Sequence, residues 1–153
     1  LKYLFLSSLS SVKEVTLGKI TLTNINEYYT DSSDENDSSI VLYGNICSLN
    51  FLFTGDISST IESKMIKDLN ELDVDVLKVA HHGSKYSTSE EFVKFIDPKY
   101  AIISVGRNYY GHPTKEVIDI LNDNNVIIYR TDENGSIIIK GKIFDNWFIE
   151  SAK

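Results

Sequence analysis

The sequence predicts an α/β fold with a parallel central sheet, and three observations support this. Short apolar runs typical of strands alternate with amphipathic helical segments through the middle of the chain, in the order β-α-β-α-β-α-β. Both ends of the chain are rich in strand-like segments. A chain of 153 residues is also long enough to bury the core of one domain. Alternating units of this kind imply right-handed crossovers, so the middle strands are expected to run parallel.

The strand predictions rest on alternating or short continuous apolar runs. They cover residues 19–25, the runs SIVLYG and NFLFTG on either side of NICSL, and then DVLKVA, YAIISVG, VIIYRT, SIIIK and KIFDNWFIE. The Asn134-Gly135 dipeptide predicts a hairpin between VIIYRT and SIIIK. Residues 28–39 are acidic and serine-rich, which is typical of a mobile loop.

Three helices are predicted between these strands. Residues 58–72 carry apolar side chains at helical spacing behind a serine or threonine cap. Glu62 is expected to be a capping-box partner or to lie on the solvated face of this helix. The segment TSEEFVKFI forms a second capped helix that Pro98 ends, and PTKEVIDILNDN forms a third with Pro113 in its first turn.

The composition excludes some classes of function. Fifteen Lys and Arg residues against 22 Asp and Glu residues give a net charge of −7, which argues against a surface that coats nucleic acid. An enzyme that engages phosphates through bound metal is still compatible with this charge, because cations reverse the local field. Cys47 is the single cysteine, so an internal disulfide is excluded.

The chain's three histidines and one aspartate follow predicted strands. Asp56 comes just after NFLFTG, the pair His81-His82 follows DVLKVA, and His112 lies in the loop after YAIISVG. Because ligands of open α/β sheets bind beyond the carboxyl ends of the strands, these four side chains are expected to converge on one rim. Imidazole and carboxylate together suit zinc, iron or manganese. The structural alternatives are a helix N-cap for Asp56 and an ordinary surface loop residue for His112.

Four motifs together resemble a known family. FLFTGDI, DVLKVAHHGSKYST, ISVGRNYYGHP and IYRTDENGSI occur in this order, at similar spacing, in the metallo-β-lactamase-like hydrolase domain of the ComEC-type DNA-internalisation competence proteins. The resemblance covers residues 38–140, and related hydrolases such as phosphocholine esterases share the Thr-Gly-Asp and His-His-Gly pieces. It implies the C-terminal half of an αββα sandwich, with a mixed sheet and antiparallel C-terminal strands.

The resemblance also implies roles for the four residues. Asp56 would bridge two metal ions, zinc or manganese, and the His-His-Gly motif would supply a further ligand. We assign this ligand to His82. His81 would then be a catalytic residue turned toward the substrate, or it would lie behind the metal ligands; the reverse assignment of the two histidines stays open. Because neighbours at a strand end point to opposite sides, the two are not expected to bind the same ion. His112 would donate a proton or hold a phosphate oxygen. The implied substrate is DNA or another phosphodiester, and the implied setting is a soluble domain of a bacterial membrane protein.

The chain departs from the family pattern in one respect. The ligand cluster His-x-His-x-Asp-His does not occur, and no histidine precedes His81. We therefore expect residues 1–153 to be a single, incomplete domain that lacks its N-terminal part, is inactive alone and self-associates through uncovered strands. Two alternatives stay open: another phosphoester or ester hydrolase of the same superfamily, and a degenerate module without catalysis.

Overall fold

A computed structural model describes residues 13–18, 20–26, 34–141 and 147–152. In this part of the chain, strands β1 to β9 span Glu14–Leu17, Ile20–Asn24, Leu42–Ile46, Leu49–Phe53, Val76–Lys78, Tyr100–Ile103, Ile127–Arg130, Ser136–Gly141 and Trp147–Ala152. Helices α1 to α4 span Ser59–Asp68, Glu90–Ile96, Lys115–Asp123 and Thr131–Asn134. The predicted α/β class is therefore correct. Among the helices of the described residues, none has the length and hydrophobicity of a membrane-spanning segment.

The strands form a mixed seven-stranded sheet in the order β1-β2-β3-β4-β5-β6-β7. The pairs from β1 to β4 are antiparallel. The pairs from β4 to β7 are parallel, because α1, α2 and α3 return the chain to the same end of the sheet each time. This confirms the predicted parallel core. The strands β8 and β9 pair antiparallel in a separate two-stranded sheet.

Alternate residues of the central strands belong to two different apolar clusters, one on each face of the sheet. Leu52 and Leu77 belong to the larger cluster, which also contains Phe92 of α2 and Leu121 of α3. Their neighbours Phe51 and Val76 point to the opposite face and form a smaller cluster with Leu49, against which Ile139 of β8 packs. Because side chains alternate along a strand, one continuous apolar run can supply both faces.

The strands predicted in SIVLYG and NFLFTG are confirmed, and they form a hairpin. Strands β3 and β4 pair antiparallel, with Ile46 opposite Leu49. The two residues between them, Cys47 and Ser48, have φ angles of 52° and 66°. Positive φ at both central positions is typical of a type I′ turn, whose twist matches that of the flanking strands.

The hairpin predicted at Asn134-Gly135 is wrong. Strand β7 pairs with β6 and β8 pairs with β9, so the two segments flanking the dipeptide do not pair with each other. Residues 131–134 form the short helix α4 instead. The Asn134 side-chain oxygen accepts a hydrogen bond from the Arg130 N–H at 2.8 Å, and Gly135 ends the helix with φ 70°. The same residue types that favour a tight turn here redirect the chain out of the main sheet.

Three smaller predictions also need correction. The helix predicted over 58–72 ends at Asp68, and Pro113 precedes the N-cap Thr114 rather than lying inside the first turn of α3. In the acidic segment 28–39, residues 28–33 lie outside the described part of the chain. The remainder is packed rather than a mobile loop, because Asp37 is buried and accepts a hydrogen bond from the Ser58 N–H at 3.0 Å.

Candidate functional site

The loops after β4, β5 and β6 meet at the carboxyl ends of the parallel strands, and we call this region the rim. The His81 N–H donates to the Gly55 carbonyl at 3.0 Å, which ties the His-His-Gly loop to the Thr-Gly-Asp loop. The Thr114 N–H donates to the Gly83 carbonyl at 2.9 Å, which ties the same loop to the Gly-His-Pro segment. The three motifs that the sequence places at strand ends are therefore neighbours in the structure, as predicted.

The histidine pair lies in a strained turn. Strand β5 ends at Lys78, and His81 and His82 follow it with φ angles of 47° and 56°. Left-handed backbone is unfavourable for residues with a Cβ, and such strain is concentrated at functional sites. The expectation that strand alternation separates the two rings is wrong, because neither residue is in a strand. The two imidazoles nevertheless have different neighbours.

The His82 ring is held by a backbone carbonyl. Its Nδ1 lies 2.6 Å from the carbonyl oxygen of Ser104, which follows β6. A carbonyl can only accept, so Nδ1 carries a hydrogen, and in the neutral imidazole Nε2 is then the nitrogen with the lone pair. His82 is exposed, so this lone pair is accessible. Histidines that bind metals usually have this arrangement, in which the second ring nitrogen is fixed by a carbonyl or carboxylate.

The His81 ring faces His112 instead. The two ring centroids are 5.7 Å apart and the rings meet edge to face. Burial lowers the pKa of His112, and the nearby charges of His81 and His82 lower it further. A lowered pKa favours neutral His112 at neutral pH, the form that can accept a proton or donate one N–H.

Asn108 shapes the loop that carries His112, a role that the sequence analysis missed. Its side-chain oxygen accepts from the N–H groups of Tyr110 and His112, both at 3.1 Å. Its side-chain nitrogen donates to the carbonyls of Gly106 at 2.9 Å and His112 at 2.7 Å. Asparagine is a common turn residue because its amide can replace backbone partners, and this was the one available signal.

Asp56 is half-buried at the same rim. Its backbone N–H donates to the Ser39 hydroxyl at 3.1 Å, while its carboxylate makes no hydrogen bond or ion pair with any residue in the described ranges. The alternative role as a helix cap is wrong, because Ser58 is the N-cap of α1 and accepts from the Thr60 N–H. The carboxylate is therefore available for a ligand.

Lys78 is a second residue that the sequence analysis missed. It is the last residue of β5, and its ammonium group donates to the Val79 carbonyl at 2.9 Å. Burial lowers the pKa of Lys78, whereas the negative charge of Asp56 raises it. A lysine inside the apolar run DVLKVA was the signal, because a cation is rarely buried without a partner.

The described residues do not on their own make a complete metal site. Among them, no group of three or more His, Cys, Asp or Glu side chains is placed to hold an ion. Zinc sites use three or four protein ligands, and Asp56 with one histidine falls short of this number.

Comparison with known proteins gives three relatives. ComE operon protein 3 of Bacillus subtilis (strain 168) is 41% identical over 108 residues, which is 70% of this chain. Competence protein ComA of Neisseria gonorrhoeae is 34% identical over 106 residues, or 68% of the chain. Recombination protein 2 of Haemophilus influenzae is 37% identical over 87 residues, or 56% of the chain.

This chain is homologous to part of the ComEC-type competence proteins. No family model matches it. The aligned regions cover 14%, 15% and 11% of the three relatives, so the chain spans about one seventh of the length of the curated competence proteins that it matches.

Proposed function

We propose that this chain supplies part of the active site of a metal-dependent phosphodiester hydrolase, a nuclease domain in a competence protein that takes up DNA. The family relationship supports the setting in DNA uptake. The observation that carries the proposal of metal-dependent chemistry is the 2.6 Å contact between His82 Nδ1 and the Ser104 carbonyl. This contact orients the His82 ring, whose other nitrogen, Nε2, has no partner among the described residues. The same rim carries the Asp56 carboxylate, which makes no hydrogen bond or ion pair with the described residues.

In this proposal Asp56 and His82 are two of the metal ligands. Further ligands come from parts of the complete protein outside the described residues, because the described ones form no group of three. The Lys78 ammonium lies close enough to the Asp56 carboxylate for their charges to attract, so Lys78 helps to hold this carboxylate at the rim. Divalent ions such as zinc or manganese lower the pKa of water and stabilise negative charge on a phosphate.

The other two histidines act on the substrate. His81 and His112 face each other with ring centroids 5.7 Å apart, and His112 also lines the cleft that contains His82. Neutral His112 can accept a proton, or it can donate one N–H to a phosphate oxygen. His81 lies beside it and completes a pair of imidazoles that face one substrate group.

We also infer that the fold is the C-terminal half of a metallo-β-lactamase-like αββα sandwich. The larger apolar cluster places the helices on one face of the seven-stranded sheet. The smaller cluster on the opposite face has no helical member among the described residues and packs against β8. A second sheet on that face would account for both observations. The parent protein would then be a bacterial membrane protein that carries this domain.

One observation favours the alternative of a non-catalytic module, namely that no three-ligand group exists in the described part of the chain. The test is hydrolysis of end-labelled single-stranded DNA by the complete parent protein with Mn²⁺ or Zn²⁺. Asp56→Ala is expected to abolish cleavage, and His112→Ala to slow it by about 10²–10⁴-fold. Cleavage of bis(4-nitrophenyl) phosphate without cleavage of DNA would indicate a different phosphoester hydrolase. No metal-dependent cleavage of either substrate would establish the non-catalytic alternative.

A further inference from the structure

Three strongly exposed tyrosines surround the rim. Tyr109 is 100% exposed, Tyr110 85% and Tyr86 66%. The other large apolar side chains exposed in the described ranges are aliphatic, and they lie on β1, β7 and β8. Scattered exposed apolar residues are common, but a group of aromatic rings on adjoining loops marks a surface that binds a partner.

Two of the tyrosines, Tyr86 and Tyr110, border two clefts that contain the histidines. A cleft of about 510 Å³ is lined by Tyr86 and Tyr110 together with His81 and His112. A second cleft of about 220 Å³ is lined by His82, Arg107 and, again, Tyr110. Tyr110 stacks on His112 with ring centroids 5.9 Å apart. The aromatic surface is therefore continuous with the imidazoles.

The charge at these clefts differs from the charge of the whole chain. The net charge of the chain is −7, yet the clefts are lined by the cations Lys85 and Arg107 against one carboxylate, Glu116. The Lys85 ammonium lies 5.1 Å from the centre of the Tyr86 ring. Neither cation forms an ion pair with any residue of the described ranges. Both are free to neutralise an anionic ligand.

We propose that Tyr86, Tyr109 and Tyr110 form a stacking platform for the bases of single-stranded nucleic acid, with Lys85 and Arg107 on its phosphates. The proposal rests on the proposed function and names the form of substrate that the rim receives. Exposed aromatic rings beside cations match a single strand, because every base has a face that stacks and each phosphate carries a charge. In a duplex the base faces are already stacked on each other. The platform therefore selects the single strand, with little dependence on sequence.

The test is binding of a fluorescein-labelled oligothymidylate of about 12 nucleotides, a length within the usual site sizes. The full 153-residue chain is titrated in EDTA, so that binding is measured without hydrolysis. Tyr86→Ala and Tyr110→Ala are each expected to weaken binding by about 5- to 150-fold, and the Phe variants, which keep the ring, by less than about twofold. Ile127→Ala is the matched control, because Ile127 is an exposed apolar residue at the amino end of β7, opposite the rim.

Salt dependence tests the two cations separately. Lys85→Gln and Arg107→Gln are each expected to reduce the slope of log K against log salt concentration by about 0.7, the value for one phosphate contact on a single strand. Equal affinity for the oligothymidylate and for a duplex of the same length would overturn the proposal. So would unchanged affinity in both Tyr→Ala variants, or an absence of binding by the wild-type chain.

The two proposals fail in different ways. Tyrosine-dependent binding by this chain, with no hydrolysis by the complete parent protein, would refute the hydrolase and keep the platform. Hydrolysis of single-stranded DNA with an unchanged KM in the Tyr86→Ala and Tyr110→Ala parent proteins would refute the platform and keep the hydrolase.

Discussion

Replacement of Glu62 tests how the loop that carries Tyr86 is held. Glu62 is fully buried in α1, contrary to the expected capping-box or solvated role. Its two carboxylate oxygens accept from the N–H groups of Thr88 at 2.5 Å and Ser89 at 2.9 Å. Ser89 is the N-cap of α2, so Glu62 satisfies backbone donors at the start of another helix.

The magnitude follows from these two bonds. Glu62→Ala leaves the buried N–H of Thr88 and the part-buried N–H of Ser89 without an acceptor. A buried group costs about 1–3 kcal/mol and a part-buried one costs less, so the free energy of unfolding should fall by about 2–4 kcal/mol. Glu62→Gln keeps one acceptor and should cost about 1–3 kcal/mol. Burial raises the pKa of Glu62 by more than its hydrogen bonds lower it. Burial therefore disfavours the charged carboxylate, and this offsets part of the cost of the hydrogen bond that the neutral Gln side chain loses.

Urea unfolding followed by circular dichroism measures both variants. Glu71→Gln is the control, because Glu71 is an exposed carboxylate beyond the end of α1 and its replacement should change stability by less than about 0.5 kcal/mol. If Glu62→Ala were as stable as this control, the two hydrogen bonds would contribute nothing and the interpretation would be refuted.

Two further predictions concern the supports of the rim and of the opposite end of the sheet. Gly83→Ala places a Cβ 2.6 Å from the Cβ of Pro113, in a backbone conformation with φ +84° that disfavours a side chain. Calorimetry should show that the free energy of unfolding falls by at least about 1–2 kcal/mol. The control Gly106→Ala should be neutral, because a Cβ there meets nothing within 4 Å. Burial raises the pKa of Asp75, but the hydrogen bonds from Lys99 and the Asn50 N–H outweigh it and hold the pKa below its ordinary 3.8. The ionised Asp75 therefore stabilises the folded protein above pH 3.8, and this contribution is lost as the pH falls through the lower pKa of the folded state. In Asp75→Asn the free energy of unfolding should fall less steeply with decreasing pH in this range. The same steepness in the variant and the wild type would contradict this prediction.

The parallel core could be predicted because local pattern and tertiary environment agree there. Strands β4 to β6 are short apolar runs whose alternate residues pack into two clusters, and each following helix has a serine or threonine at its start. The prediction failed where one local signal allows two outcomes. Asn134-Gly135 suits a tight hairpin, but Asn134 binds the Arg130 N–H and ends a short helix. The strand β1 was not predicted, because EVTL is mostly exposed and pairs only at the margin of the sheet.

The site was predictable in its location but not in its details. The positions of Asp56, His81, His82 and His112 after strands follow from the alternation of strands and helices. The separate neighbours of His81 and His82 do not, because they depend on two consecutive left-handed residues and on the Ser104 carbonyl. The role of Lys78 likewise depends on its nearness to Asp56, which lies on a loop distant in sequence. The role of Asn108 depends on the conformation of its own loop, because its side-chain partners Gly106, Tyr110 and His112 are only two to four residues away.

The metal content of two variants of the complete parent protein tests the central claim most directly. His82→Ala removes the histidine whose Nε2 is left free by the Ser104 contact, and it should lose bound metal together with hydrolysis. His81→Ala removes a ring that faces His112, so it should keep the metal and lower turnover by about 10²–10⁴-fold. Loss of metal from His81→Ala alone would reverse the assignment of the two histidines. Full metal content and full activity in both variants would mean that the pair is structural, and the account of a metal-dependent rim would be wrong.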